Sequence, residues 1–425
     1  MTAPISPENI TRVVLDSGLV VLVKENHTNP SISFRGRMRA GAMYDTDQTA
    51  GLAQFAAAAL NRGTKKYTFQ KLNETLDRVG MSFGAGAGVD YLGFNGKCLQ
   101  EDLDLWLGLA SEVLLRPTFP EREVDKLRGQ FVTSLRRAKQ DTRWVASQQF
   151  HKLCYPSGHP YHRMDDGTEA TLKRLNPANL EKFHNRFYRS EGALLVVVGD
   201  VTAKDVIGKI DKRLRWKVTG RPPAFGIPSI PLRTAPARKD VHIPGKIQSD
   251  IVIGNPGIAR NDPDFYALRA ADLIFGQLGL FGRLGEVIRD KLGLAYYVYS
   301  SLNAGVGAGP WSINAGVNPR NIDQAVEGII VEIDRLRTQG ITEDELAHGQ
   351  DFLTGSLALR LETNDGVAAT LADIEFYGLG LDYIERYPGI IRGLTVDQVR
   401  AAVDQHAHPE TAVTVVAGPI GKAAG

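Results

Sequence analysis

The chain has 425 residues, of which 43% are hydrophobic. This length is too great for one ordinary domain and suits two domains of roughly 200 residues each. Its 50 basic and 48 acidic residues leave a net charge of +2, which argues against an electrostatic surface for nucleic acid. No apolar run reaches the roughly 18 residues that a membrane span needs.

Two cysteines and the N-terminus bear on the compartment. Cys98 and Cys154 lack metal-site spacing, and we expect both to be buried thiols of a protein in a reducing compartment. Met1 to Asn9 lacks the apolar core of a secretory signal. The sequence therefore predicts a cytoplasmic protein, with a periplasmic one as the alternative if a signal peptide has been removed.

Strand and helix patterns are mixed along the first half. The segments Gly18 to Lys24 and Ser31 to Met38 have the apolar runs or alternation typical of strands. An alanine-rich helix is predicted over Gly51 to Asn61, and helical apolar spacing over Leu103 to Leu115 ends before Pro117. Long helices beside hairpin-like strands predict an α+β fold, with helices on one face of a largely antiparallel sheet.

A proline-rich segment, Val218 to Arg238, divides the chain near its middle and is predicted to be a linker. It separates a first domain, residues 1–217, from a second domain, residues 239–425.

Landmarks of the first half recur in the second. Glu121 and Glu343 begin similar helical patterns, and strand-like runs end in glycine at both Gly199 and Gly418. The two pairs occur in the same order at nearly the same separation, which predicts a duplicated domain.

The segment of residues 40–67, AGAMYDTDQTAGLAQFAAAALNRGTKKY, resembles the opening of the pitrilysin and insulin-degrading enzyme family of zinc peptidases. That family includes the mitochondrial processing peptidase. Further similar segments follow in the family's order at Gly84 to Leu92, Leu114 to Glu121 and Arg289 to Tyr296. The resemblance covers nearly the whole chain and implies two homologous domains of the processing-peptidase type.

The zinc motif of the family is degenerate here. Members carry H-x-x-E-H on the first helix, where two His bind zinc and the Glu activates the metal-bound water. The matching positions are Gln54, Ala57 and Ala58, and the family's third ligand, a Glu, corresponds to Ser134. A methyl group can neither bind zinc nor accept a proton, so the resemblance implies that this chain holds no metal and cleaves nothing by itself.

One close histidine pair could suggest a zinc site elsewhere. His159 and His162 lie in a loop rich in proline and glycine, where no helix aims both rings at one ion. We therefore do not expect them to bind metal.

The second-half signature of the family is complete. Arg289 and Tyr296 match the Arg and Tyr that, in the family, hold the substrate backbone and stabilise the oxyanion at a zinc site on the opposite half. From residue type alone, the alternatives are an Arg in a surface ion pair and a Tyr in the core.

A glycine-bearing loop precedes this signature. Its glycines weakly resemble the substrate-binding glycine loop of the mitochondrial non-catalytic subunit, although a tight turn is the simpler interpretation; they are Gly276, Gly279, Gly282 and Gly285.

The resemblance implies an inactive, zinc-free subunit of a heterodimeric zinc metalloendopeptidase. A homologous partner with H-x-x-E-H would bring the zinc, and this chain would supply Arg289 and Tyr296. Unfolded peptides would bind as an added strand at a sheet edge. The alternative is a structural or peptide-binding scaffold like the core proteins of ubiquinol–cytochrome c reductase, and a third possibility is a homodimeric peptide binder.

Overall fold

The computed structural model describes residues 5–216, 220–231 and 233–420. Val218, where the predicted linker begins, lies outside these residues, as do Lys217, the predicted end of the first domain, and Leu232 within the linker. No helix in the described part of the chain is long and apolar enough to cross a membrane.

The strands form two sheets. The six-stranded sheet has the order β1-β2-β6-β3-β5-β4, and the five-stranded sheet has the order β7-β11-β8-β10-β9. Their bounds are β1 Thr11–Val14, β2 Val20–Glu25, β3 Ser31–Met38, β4 Ser82–Ala87, β5 Leu92–Leu99, β6 Leu194–Gly199, β7 Ala237–His242, β8 Ser249–Pro256, β9 Ala295–Leu302, β10 Pro310–Val317 and β11 Val413–Gly418. Strand β7 therefore begins inside the last residues of the predicted linker.

Helices surround both sheets. Their bounds are α1 Leu52–Ala59, α2 Phe69–Arg78, α3 Leu103–Leu115, α4 Glu121–Ala138, α5 Thr142–Cys154, α6 Glu169–Leu172, α7 Pro177–Phe187, α8 Ala203–Arg213, α9 Phe265–Asp272, α10 Ile322–Gln339, α11 Glu343–Arg360, α12 Asn364–Tyr377, α13 Tyr383–Arg392 and α14 Val396–His406. Two segments, Leu273–Gln277 and Gly285–Lys291, are π-helical.

The second sheet repeats the plan of the first. Strand β6 is parallel to β2 and antiparallel to β3, and β11 is parallel to β7 and antiparallel to β8. Strands β5 and β4 continue the first sheet antiparallel, as β10 and β9 continue the second. Helices α4 and α11 begin at Glu121 and Glu343, and β6 and β11 end at Gly199 and Gly418. The strand plan and these landmarks agree with the predicted duplication.

The chain forms two compact units, and each includes a segment from the other half. The first comprises the described residues of Met1–Thr133, Asp165–Gly226 and Leu357–Arg386, and the second those of Ser134–Met164, Ile227–Ser356 and Tyr387–Gly425. The units differ from continuous domains because α12 packs on β3 and β6, whereas α5 packs on β8 and β11. We retain Val218 to Arg238 as a proposal for where the two copies of the duplication meet.

Arginine–carboxylate pairs hold α12 in the first unit. The shortest nitrogen–oxygen distances are 2.8 Å for Arg12–Glu375, 2.6 Å for Arg35–Asp365 and 2.5 Å for Arg37–Asp373. Arg37 is only 9% exposed, and its guanidinium carbon lies 4.3 Å from the centre of the Tyr91 ring. A long-range set of charge pairs therefore accompanies apolar packing at this contact.

Both faces of the second sheet are covered, so the expectation of helices on one face only is wrong for this unit. On β8, Ile251 and Ile253 belong to the apolar core beside α9, α10 and α14. Asp250 alternates with them, and its carboxylate accepts a hydrogen bond from Thr142 of α5. Successive side chains of a strand point to opposite faces, so helices pack on both sides of the sheet.

The two cysteines are free and buried, as the sequence predicts. Burial raises the pKa of each thiol to about 12, so neither is a reactive thiolate at neutral pH.

Candidate functional site

The helix that corresponds to the family's zinc helix is held at its start by a buried carboxylate. Asp45 is 5% exposed, and it accepts hydrogen bonds from the backbone N–H groups of Gly51 at 2.9 Å and Ala53 at 3.2 Å. Gly51 adopts φ of 90°, a left-handed conformation that favours glycine. These contacts fix where α1 begins, independently of any metal.

The residues at the degenerate positions do not form a zinc site. The Oε1 atom of Gln54 accepts a hydrogen bond from the backbone N–H of Ala87 at 2.8 Å, on the edge strand β4. Ala57 is 2% exposed, Ala58 is half-buried, and Ser134 is exposed on α4. One engaged carboxamide, two methyl groups and a hydroxyl do not match the imidazole, thiolate and carboxylate ligands that zinc takes.

His159 and His162 are used in local structure. His159 accepts a hydrogen bond at Nδ1 from the backbone N–H of Tyr161 at 3.1 Å, and its ring stacks on Tyr155 at a centroid distance of 4.9 Å. Nδ1 of His162 lies 2.8 Å from the carbonyl oxygen of Tyr155. Burial lowers the pKa of His159, with further lowering from nearby Arg163 and His162. Both rings thus organise the loop after α5.

Sequence reasoning missed a group with metal-like geometry in the second unit. Among the described residues, one ligand atom each from Asp262, Asp264 and His406 lie within 4.8 Å of one another. His406 ends α14 and pairs with Asp264, which precedes α9, at 2.9 Å. The imidazole of His406 hydrogen-bonds the Asp264 carboxylate, and a carboxylate at a helix N-terminus is favourable there, so this pairing is explained without an ion.

Arg289 lies in irregular helical backbone. It belongs to the π-helical segment Gly285–Lys291, where the N–H of Leu292 reaches back to the carbonyl of Val287 at 3.0 Å. The Arg289 side chain is exposed, and the described residues provide it with no ion pair or side-chain hydrogen bond. The surface ion pair that was one alternative for this residue is therefore not formed. π-Helical turns occur frequently at functional sites.

Tyr296 lies at a β-bulge on an edge strand. Tyr297 pairs with Gly316 and Ala295 pairs with Val317, which leaves Tyr296 as the extra residue of β9. Tyr296 is 58% exposed, so it is not the core tyrosine that was the alternative. Bulges redirect a side chain and are common beside active sites.

The glycines from Gly276 to Gly285, which lie within and between the two π-helical segments, allow close packing and a turn. A Cβ at Gly276 would lie 2.4 Å from the backbone nitrogen of Ser300, and one at Gly285 would lie 1.9 Å from the carbonyl oxygen of Gly279. Gly279 itself has φ of 63°. These contacts support the turn as the simpler interpretation of this loop. The turn presents Phe281, which is 94% exposed.

Two family models match the chain. The model described as Insulinase (Peptidase family M16) matches residues 20–160, and the model described as Peptidase M16 inactive domain matches residues 174–353. Together they span most of the chain and both compact units.

Relatives and solved structures agree with these matches. The chain is 23% identical to an uncharacterized zinc protease of Streptomyces coelicolor over 92% of this chain and 86% of the relative. It is also 23% identical to the non-peptidase homolog YmxG of Helicobacter pylori, over 91% of this chain and 88% of that protein.

Among solved structures, a peptidase M16 inactive domain from Pseudomonas fluorescens has a TM-score of 0.91 at 26% identity, covering 97% of this chain and 98% of that one. A protease from Helicobacter pylori has a TM-score of 0.89 at 21% identity, covering 96% and 99%. The resemblance and the α+β fold class predicted from the sequence are confirmed. The chain belongs to the M16 family, the pitrilysin and insulinase family of metallopeptidases, as an inactive member without the residues of the zinc motif.

Proposed function

We propose that this chain is the zinc-free subunit of a heterodimeric zinc metalloendopeptidase. A homologous subunit with H-x-x-E-H would bind the zinc, and this chain would place Arg289 and Tyr296 beside it. One combination of observations carries the proposal: α1 offers no zinc ligands, whereas Arg289 and Tyr296 are exposed on irregular backbone without partners among the described residues. Exposed side chains that the described residues leave unpaired are available to a substrate.

The chemistry of the pair suits peptide hydrolysis. When water attacks a peptide carbonyl, the oxygen gains negative charge. A guanidinium and a phenol that donate hydrogen bonds to that oxygen stabilise it more in the transition state than in the ground state. Arg289 and Tyr296 would therefore accelerate cleavage at the partner's zinc, which supplies Lewis-acid activation of the water when bound.

The substrates we propose are unfolded peptides that add a strand to a sheet edge. Strand β4 is such an edge, and its pairing leaves one row of N–H groups on the outer side. The N–H of Gly88 donates to the carbonyl of Tyr91, on the side of β5. The N–H of Ala87 points away from β5 and donates to the side chain of Gln54. By alternation, the N–H groups of Phe83 and Ala85 share the outward direction of Ala87. Extended peptides bind such rows through main-chain hydrogen bonds.

For the compartment, we propose the cytoplasm, with the periplasm as the alternative. The periplasmic protease PqqL of Escherichia coli has a TM-score of 0.75 to this chain at 19% identity, which shows a shared fold. Fractionation of the source cells with an antibody against this chain decides between the two.

The test of the function is reconstitution. We expect the isolated chain to leave an internally quenched, unstructured peptide intact, and the isolated zinc-bearing homologue to cleave it slowly. A mixture of the two should cleave it rapidly. Tyr296→Phe in the mixture should lower kcat by roughly a hundredfold, because one oxyanion donor is lost. If the mixture is no faster than the homologue alone, or if Tyr296→Phe is without effect, the proposal is wrong.

The second candidate is a scaffold or peptide-binding subunit. The observation that favours it is the intact support of α1 by Asp45 where no zinc ligand remains, since a scaffold needs the fold and not the chemistry. Such a protein would join a complex whose activity is insensitive to substitutions at Arg289 and Tyr296.

A further inference from the structure

Beside the bulge at Tyr296, strand β9 is fixed through the next residue, Tyr297. The ring of Tyr297 lies against Gly316 on β10, where an added Cβ would be 2.3 Å from its Cε1 atom. Only glycine leaves room for the ring at this position. The guanidinium carbon of Arg143, from α5, lies 4.2 Å from the ring centre, and its Nε donates a hydrogen bond to the Tyr297 hydroxyl at 3.0 Å.

The hydroxyl of Tyr297 has a second hydrogen-bond partner. It donates to the carboxylate of Asp250 on β8, and Asp250 is only 2% exposed. That carboxylate accepts further hydrogen bonds from the hydroxyl of Thr142 and, at 3.1 Å, from Nε2 of Gln248. Burial, aided by Asp250, raises the pKa of Tyr297, so the phenol stays protonated and remains a donor at neutral pH.

These contacts restrain Tyr297 from three directions: Gly316 at one side of the ring, Arg143 over the ring and Asp250 at its hydroxyl. We call Arg143, Asp250, Tyr297 and Gly316 the Tyr297 cluster. Tyr296 itself has no such contacts, because it is the unpaired residue of the bulge. Its direction is therefore set by the backbone, and the backbone is fixed at the adjacent residue.

We infer that the Tyr297 cluster orients Tyr296 towards substrate, with Arg143 and Tyr297 as positioning residues. The inference rests on the proposed function of Tyr296. A side chain that must donate to a developing oxyanion loses its effect when displaced by about 1 Å, which can cost up to roughly a hundredfold in rate. The cluster provides the rigid support that this geometry needs.

Two measurements test the inference. The first is kcat and KM of the reconstituted complex with an internally quenched, unstructured peptide. The second is the fluorine NMR signal of a fluorotyrosine placed at position 296 of the isolated full chain. The variants are Tyr297→Phe, which removes the hydroxyl, and Arg143→Ala, which removes the exposed side chain over the ring. Arg143→Lys keeps the charge but not the planar donor. Tyr299→Phe is the matched control, because it removes a tyrosine hydroxyl from the same strand and keeps the ring that stacks against Tyr297.

We expect Tyr297→Phe and Arg143→Ala each to lower kcat by roughly tenfold or more, with KM within about twofold. Both should shift or broaden the fluorine signal of residue 296. Arg143→Lys should recover part of kcat, and Tyr299→Phe should match the wild type. Should Tyr297→Phe fail to fold, Arg143→Ala on the surface carries the test.

The outcomes separate this inference from the proposed function. If Tyr296→Phe lowers kcat while Tyr297→Phe and Arg143→Ala do not, the proposed function stands and the positioning role is overturned. If Tyr296→Phe has no effect, the proposed function fails, and the fluorine signal alone decides: an unchanged signal in the cluster variants overturns the orienting role, and an altered signal supports it.

Discussion

In the first unit, the helix that resembles the zinc helix of the family is regular, and Gln54, Ala57 and Ala58 occupy the positions that match the zinc motif. In the second unit, the two residues that match substrate-contacting positions lie in a π-helical segment and at a β-bulge. The units share one strand order, yet the zinc-motif residues are absent where the backbone is regular. The substrate contacts that we propose lie where the backbone departs from regular geometry.

This difference suggests a division between residues that maintain the fold, such as those supporting α1, and residues that we propose contact substrate. Helix α1 is supported by Asp45 and packs in the first unit, so its presence needs no catalytic explanation. The π-helix and the bulge interrupt regular hydrogen bonding, and such irregular backbone persists where surrounding structure supports it. The π-helical segment carries the exposed side chain of Arg289, and the bulge carries that of Tyr296. We therefore expect substitutions that loosen α1 to alter stability, and substitutions at Arg289 and Tyr296 to alter activity.

The largest expected effect is a loss of catalytic activity on substitution of Arg289, compared with substitution of Gln54. In the reconstituted complex, Arg289→Ala should lower kcat/KM by about two to three orders of magnitude, because a charged donor to the oxyanion is lost. Gln54→Ala should leave kcat within about twofold, because the carboxamide hydrogen-bonds only to the Ala87 N–H among the described residues. Steady-state kinetics of both variants check this. Equal losses, or a loss only with Gln54→Ala, would remove the contrast between the units.

A smaller effect, on stability, is expected where α12 meets the first sheet. Arg37→Ala should lower the free energy of unfolding by about 2–3 kcal/mol, because a nearly buried guanidinium loses Asp373 and its stacking on Tyr91. Arg35→Ala is the matched control on the same strand. Its pair with Asp365 is more exposed and should contribute only about 0.5 kcal/mol.

Urea denaturation measures both variants, with the folded complexes then assayed for activity. If both variants lose a similar, small amount of stability, the nearly buried Arg37–Asp373 pair contributes no more to the packing of α12 than the exposed Arg35–Asp365 pair does. A loss of activity at full stability would contradict the purely structural role of this contact.

The smallest expected effect concerns the start of α1. Asp45→Ala should cost about 1 kcal/mol, because two backbone N–H groups lose their buried acceptor. Thermal unfolding of the isolated chain checks this against Asp16→Ala, which removes an exposed carboxylate that forms no ion pair with the described residues. An unchanged midpoint for Asp45→Ala would show that α1 is held by packing alone.

Much of the local structure could be predicted because it depends on local pattern. The predicted strand Ser31–Met38 and the predicted helix Leu103–Leu115 coincide with β3 and α3. The repeated landmarks identified the duplication, and the run around Gln54 identified the family.

The exchange of segments between halves and the irregular backbone could not be predicted. Helix α12 belongs to the first unit through pairs such as Arg37–Asp373, which are distant in sequence and leave no periodic signal. The bulge at Tyr296 exists only in its pairing with β10, and the Tyr297 cluster joins residues of three strands and α5. Sequence reasoning named Tyr296 by resemblance, but its neighbour Tyr297 carried no signal beyond an aromatic strand position.

We propose that this chain works beside a zinc-bearing homologue while holding no zinc itself. Native mass spectrometry of the protein purified from its own cells tests this most directly, with bound metal measured in the same spectrum. We predict a stable one-to-one complex with a homologous chain of similar size that contains one zinc ion, and no zinc on this chain after dissociation. A metal-free monomer or homodimer, or zinc retained by this chain alone, would contradict the account.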